Sequence, residues 1–402
     1  MRVVILSETY SKKMGYSDGA LSKALSRLGI EVHLVTTNLP PYYYLPDFQQ
    51  TYGSFVDADV ESPLFEDIDG YRVHYLPHKK LFGYVRMRGL FDKLQFLKPH
   101  IVQTFTAISW IPLDAACFKP FLTYKLFTGS HTTASVFPLA KRKTHLWDKE
   151  NLKSIFTRAV CGRFVSFFSE KCYGATIDCA DIAVRFFGVQ TSKIDICPLG
   201  VDTDLFSPIN NEESRSSRIQ TRKQLGFEST DIVCIYTGRF TNDKNPLLLA
   251  KAIECLVSLG LPFRGLFLGE GIQSKAIKNC FGCVIHPFVP FSNLGNYFRS
   301  ADIGVWPTQE SMSMLDAAAC GLPIVVNDTL IARERIEGNG ITYRLNDVND
   351  LVRVLKSLVN NEMRNRLGQS GAKRMASEFS WSSLAKRRLR DYEYSLGIER
   401  SY

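Results

Sequence analysis

Apolar residues along the first half of the chain fall in short runs separated by helical periodicities. RVVILSE, EVHLVTT, YRVHYLP, HIVQTFTA and FLTYKLFTGS each predict a strand, while Gly15 to Leu28, with Leu21, Leu25 and Leu28 on one face, predicts a helix stopped by Gly29. Runs that are apolar on both faces and alternate with helices predict a mostly parallel sheet covered on both sides. CPLGVDTDLFSP (197–208) breaks the pattern, and the polar stretch NNEESRSSRIQTRKQ follows it. The alternation then restarts, with strands in DIVCIYT, FRGLFLG, CVIHPFV, DIGVWPT and PIVVND and helices in PLLLAKAIECLVSLG, SNLGNYFRSA and SMLDAAACG. The expected fold class is α/β with two Rossmann-like domains, residues 1–196 and 197–379. Two such domains in succession predict a cleft between them, a usual place for a ligand.

Composition leaves this picture standing. Hydrophobic residues make up 45% of the 402 and charged residues 22%, which is a globular balance. No apolar run approaches the roughly 20 residues that span a bilayer. The opening MRVVILSETY has too short an apolar core for a signal peptide and reads as a buried first strand. Ten scattered cysteines fit reduced thiols in a cytoplasmic protein, and Cys280 with Cys283 lacks the second pair that a structural zinc would need.

Candidate chemistry lies mostly in the second half. The turn after the first strand, SETYSKKMGYSDG, lacks the glycine pattern of a dinucleotide site, and no P-loop occurs anywhere. Ligands of open α/β sheets bind beyond the carboxyl ends of the strands. Three loops expected there are unusual. YTGRFTNDKNP brings Gly238 and two cations, Arg239 and Lys244. LGEGIQS carries Gly269 and Gly271 around Glu270. PTQESMSMLDAAACGLP sets Glu310, Ser311, Met312 and Ser313 before a helix start. A helix N-terminus with two cations favours a diphosphate. Each feature also has a plainer reading, since surface cations are commonly solvated, glycines close turns and serines cap helices.

These motifs, in this order and spacing, resemble the GT-B glycosyltransferases, specifically the retaining nucleotide-sugar enzymes of family GT4 (glycosyltransferase group 1). The resemblance rests on CPLGVDTDLFSP, YTGRFTNDKNP, FLGEG, FVPFSNLGNYFRSADIGVWPT, LDAAACGLPIVV and FSWSSLAKRRLRDYEYSL. It implies two Rossmann-like domains facing each other across a cleft and a C-terminal helix, 380–402, crossing back to the first. It implies that Arg239 and Lys244 hold the diphosphate of a UDP- or GDP-sugar, that Asp316 holds the ribose and that Glu310 lies near the donor sugar. The backbone at Phe288 and Val289 would flank the base, and His131 in FTGSHTTAS matches a histidine-bearing loop. Gly15 completes the candidate substrate-binding residues. Glu310 and His131 are the candidate catalytic residues, with neither a metal nor a permanently bound cofactor. The chain departs from the family in two places. Five residues separate Glu310 from Asp316 where seven are usual, and Phe105 stands at a position that is often histidine. The Asp-x-Asp at 57–59 lies away from these motifs.

The net charge of +9 bears on the acceptor. HKKLFGYVRMRGLFDKLQFLKPH (78–100) and AKRKTHLWDKENLKSIFTRAVCGRFVSFF (140–168) interleave basic with aromatic residues, with Lys141, Arg142 and Lys143 in the second. The mixture points to an anionic membrane surface and to a glycan or lipid-linked acceptor, with the protein peripheral on the cytoplasmic face. Ordinary helices with a basic outer face explain each stretch equally simply. No nucleic-acid motif accompanies the charge. A GT-B-fold epimerase or phosphorylase and a non-catalytic nucleotide-sugar binder are the alternatives.

Overall fold

In the computed structural model the apolar runs form the strands they predict, trimmed at their ends. The structure describes residues 1–44, 65–137, 139 and 155–398. Lys141, Arg142, Lys143 and the Asp-x-Asp at 57–59 lie outside the described residues. The chain divides into two units, residues 1–199 with 381–402, and 200–380.

The first unit holds an eight-stranded sheet. Its strands are β1 (Arg2–Leu6), β2 (Glu31–Thr37), β3 (Phe65–Ile68), β4 (Tyr71–Leu76), β7 (Ile101–Thr104), β8 (Lys125–Ser130), β9 (Ser169–Gly174) and β10 (Ile194–Ile196), in the order β10-β9-β8-β7-β1-β2-β4-β3. All neighbours pair in parallel except β3 with β4. β9 is the strand least visible in sequence, because SEKCYG reads polar; its neighbours supply the burial. The stretch HKKL–YVRM forms a separate antiparallel hairpin, β5 (His78–Leu81) with β6 (Tyr84–Met87). The terminal helix Trp381–Ser395 completes this unit. Its Tyr392 hydroxyl donates to Gln103 Oε1 (2.9 Å) and its Asp391 pairs with Lys171 (2.8 Å).

The second unit holds β11 (Ile232–Thr237), β12 (Phe263–Leu268), β13 (Cys283–His286), β14 (Ile303–Trp306), β15 (Ile324–Asn327) and β16 (Gly340–Tyr343), all parallel in the order β13-β12-β11-β14-β15-β16. Strand order therefore reverses between β11 and β14. The polar stretch that follows the break in the pattern forms a helix, Glu212–Gln224, opened by an Asn211–Ser214 capping box. It has almost no apolar stripe. Arginines dock it instead, Arg218 and Arg222 both reaching Asp302 (2.7 and 3.2 Å).

A buried histidine pair joins β2 to β4. His33 Nδ1 lies 2.9 Å from His74 Nε2, and His33 Nε2 lies 3.1 Å from Glu31. One ring must accept where the other donates, so both cannot carry charge. Burial, then nearby cations, lowers His74 to about 4, and burial lowers His33 as well. Groups held below their unfolded values contribute stability above about pH 6.5, lost as pH falls toward 4. Thermal melting of the first unit should therefore drop between pH 7 and pH 5 by the equivalent of ~1–2 kcal/mol. His74→Gln should flatten that dependence. An unchanged pH profile in the variant would remove the pair as its source.

Candidate active site

Because the second sheet is wholly parallel, every loop leaving a strand end emerges on one edge. Four carry candidate residues. Arg239 and Lys244 follow β11, Gly269 and Gly271 follow β12, Phe288 and Val289 follow β13, and Glu310 to Ser313 follow β14. The β11 and β14 loops flank the reversal of strand order, where open α/β sheets leave a crevice. Thr237 at the end of β11 donates to Ser313 Oγ (2.8 Å), and Ser311 Oγ lies 2.9 Å from Ser313 Oγ, so the two loops are stitched across that point. Asn327 anchors the β14 loop by donating to the carbonyls of Pro307 (3.1 Å) and Thr308 (2.8 Å).

The cations sit together. Lys244 is within Coulombic range of Asp243, Arg239 and Glu310. Burial pulls its ammonium below the ordinary lysine value; the neighbouring Arg239 acts in the same direction, and Asp243 and Glu310 oppose it. The turn that presents Lys244 closes with Asn245 in a left-handed conformation just before Pro246 opens the next helix. Two half-buried cations at the end of a strand, compensated in part by Asp243, make a site that gains from an anion.

Asp316 lies on the short helix Ser313–Ala319 and is 8% exposed. Burial, and then the like charge of Asp202, push its carboxyl well up. Among the described residues none hydrogen-bonds that carboxyl.

Gly269 and Gly271 have φ of 144° and 152°. A Cβ on Gly269 would overlap the Gly238 carbonyl, and one on Gly271 would come 2.6 Å from the Phe240 carbonyl. Gly238 N donates to Leu268 O (3.0 Å) and Phe240 N to Glu270 O (2.8 Å), so the glycines let two neighbouring loops press together. That contact fixes the backbone on which Arg239 is carried. The segment with Phe288 and Val289 is held by His286, whose Nε2 lies 3.1 Å from the Tyr297 hydroxyl, while Val289 packs on the core.

Gly15 and His131 belong to the first unit. Gly15 closes a short turn after β1 with φ 61°. His131 follows β8, its ring 5.3 Å from that of Phe105 after β7. Parallel pairing puts all three on one edge of their own sheet. Sequence reasoning passed over three contributors. Thr237 acts through a contact across loops, and Asp243 through its neighbours Arg239 and Lys244 in the same turn. Arg388, buried on the terminal helix with its guanidinium 5.5 Å from the Phe105 ring, comes from the far end of the chain.

Two family descriptions match the chain, "Glycosyltransferase Family 4" over residues 19–205 and "Glycosyl transferases group 1" over residues 231–361. A D-inositol 3-phosphate glycosyltransferase of Xylanimonas cellulosilytica is 26% identical over 230 residues, 54% of this chain and 55% of that protein. A UDP-Gal:alpha-D-GlcNAc-diphosphoundecaprenol alpha-1,3-galactosyltransferase of Escherichia coli is 24% identical over 238 residues, 54% of this chain and 59% of that one. The chain thus spans a little over half the length of the relatives it matches. Among solved structures, Anabaena HepE in complex with UDP superposes with a TM-score of 0.69 at 13% identity, covering 98% of this chain and 100% of the other. The matched spans take in more than three quarters of the sequence, the parallel sheets and strand-end loops agree with them, and the chain belongs to the group 1, family 4 glycosyltransferases of GT-B fold.

Proposed function

We propose that this chain is a retaining glycosyltransferase that moves a hexose from a nucleoside diphosphate sugar to a membrane-associated glycan or lipid-linked acceptor. The observation that carries the reading is the half-buried pair Arg239 and Lys244 at the reversal of strand order, with Glu310 within Coulombic range of Lys244. UDP in HepE supports a uridine donor, and the diphosphoundecaprenol acceptor of the E. coli relative supports a lipid-linked one. In this reading Arg239 and Lys244 stabilise the departing diphosphate without a metal. The C1–phosphate bond breaks on the face where the acceptor hydroxyl attacks, a new C1–oxygen bond forms there, and the hydroxyl proton passes to the leaving phosphate oxygen. Asp316 holds the ribose, Glu310 lies near the donor sugar, and His131 serves the acceptor side.

The test is UDP release from UDP-hexoses with a polyprenyl-diphosphate sugar acceptor, in EDTA. Asp316→Ala should weaken UDP binding and turnover together. Glu310→Gln and His131→Ala should spare UDP affinity and lower kcat, because contacts made only in the transition state affect kcat alone. No UDP release with any donor would sink the assignment, and metal-dependent release would sink its mechanism.

The β5–β6 hairpin supports membrane contact. Phe82 at its tip is 85% exposed and has φ 51°, a conformation that costs a bulky residue roughly 1–2 kcal/mol. Lys79 and Lys80 precede it. Sedimentation with anionic vesicles should exceed that with neutral ones and fall several-fold in Phe82→Ser/Lys79→Gln/Lys80→Gln. Equal partition onto both vesicles would leave the hairpin a solvated edge.

A further inference from the structure

A second cationic site lies at the opposite edge of the second sheet. Asp302 precedes β14 and Pro323 precedes β15, so both mark the amino ends of strands whose carboxyl ends carry the donor loops. Between them opens a cavity of about 380 Å³, lined among others by Arg218, Arg299, Asp302 and Arg364. That size falls within the range of small-molecule sites.

The arginines here are bonded yet not neutralised. Asp302 already accepts from Arg218 (2.7 Å), Arg222 (3.2 Å) and the Val233 amide (2.8 Å). The other guanidinium bonds reach uncharged groups. Arg299 donates to Leu205 O (3.1 Å) and Asn296 Oδ1 (2.7 Å), and Arg364 to Val359 O (2.8 Å) and Asn361 Oδ1 (3.1 Å). Among the described residues, the buried Nε atoms of Arg222 and Arg299 have no partner. Among the described residues, the cavity lining thus holds three guanidinium groups and one carboxylate, with the buried Arg222 behind them. Helices Phe291–Ser300 and Ser313–Ala319 end here, and each C-terminus brings about half a negative charge, which still leaves a positive excess. Around the cavity, Asn361, Asn365 and Gln369 project from the first turns of helix Asn361–Ser377. Planar guanidiniums suit phosphate, and side-chain amides suit hydroxyls.

We propose that this cavity binds a phosphate-bearing small polyol, such as a sugar phosphate, at a site separate from the donor loops. The backs of the two sites are joined. Cys320 and Leu322 line the cavity directly after the helix that carries Asp316, so an occupant touches the far end of a donor-loop helix.

Inorganic phosphate is the first probe, titrated calorimetrically, with glucose 6-phosphate in parallel. Phosphate should bind wild type and the Arg239→Ala/Lys244→Ala variant alike. Asn365→Asp/Gln369→Glu adds two carboxylates at exposed positions that make no side-chain hydrogen bond among the described residues, and should weaken phosphate at least tenfold while leaving the melting temperature unchanged. Glucose 6-phosphate should bind more tightly than phosphate and lose that advantage in Asn365→Leu/Gln369→Leu. The site is overturned if phosphate does not bind, or if Arg239→Ala/Lys244→Ala abolishes binding and Asn365→Asp/Gln369→Glu keeps it. Neither result bears on whether the chain transfers a sugar.

Discussion

Titrating UDP into the Arg239→Ala/Lys244→Ala variant should show affinity lowered about 10²- to 10³-fold. Each lost charge-assisted hydrogen bond is worth about 1.5–3 kcal/mol, or tenfold to a hundredfold singly. The pair shares one environment, so the double loss should fall short of the product of the single ones. Lys244 matters beyond its bond. Its ammonium is already destabilised by burial and by Arg239, and a diphosphate would relieve both. Lys244→Met keeps the apolar stem and removes the charge, so it separates charge from packing. Near-UV circular dichroism of each variant reports whether the loop survives. Affinity within threefold of wild type in the double variant, with the fold intact, would end the diphosphate assignment and with it the proposed donor.

Gly269→Ala is expected to be the most damaging single-methyl change near these loops. Its φ of 144° lies in a region an L side chain rarely adopts, at a cost of about 1–3 kcal/mol. The added Cβ also meets the Gly238 carbonyl, which is held in the backbone contact between the β11 and β12 loops. No flexible side chain can yield there. A loss of at least ~3 kcal/mol should lower the melting temperature of the second unit by roughly 6–12 °C. Gly260→Ala is the control. It also has positive φ, 73°, but among the described residues nothing lies within 4 Å of the added Cβ, so only about 1–2 kcal/mol of backbone strain is at stake. If both variants melted together, the clash would count for nothing. UDP affinity should fall with Gly269→Ala as well, since Arg239 rides on the displaced loop.

Both predictions turn on what the linear chain displays and what it hides. Apolar runs such as RVVIL and IVCIYT specify strands buried on both faces, because no other arrangement removes them from water. Their alternation with helical periodicities specifies parallel sheets. It follows, before any coordinates, that the loop with Arg239 and Lys244 and the loop with Glu310 share one sheet edge. Local spacing cannot say more, because strand order is set by which faces pack together, not by sequence neighbours. Only the tertiary structure put β11 beside β14 and so tied Thr237 to Ser313. It also turned the glycines after β12 toward a neighbouring loop, and raised Asp316 by enclosing it near Asp202. The helix Glu212–Gln224 makes the same point from the other side. Its sequence shows no apolar stripe because its docking is ionic, and the partner, Asp302, lies 80 residues beyond Arg222. Periodicity records burial of apolar surface. Charge pairing and backbone contact between distant loops leave no period, and only folding brings their partners together.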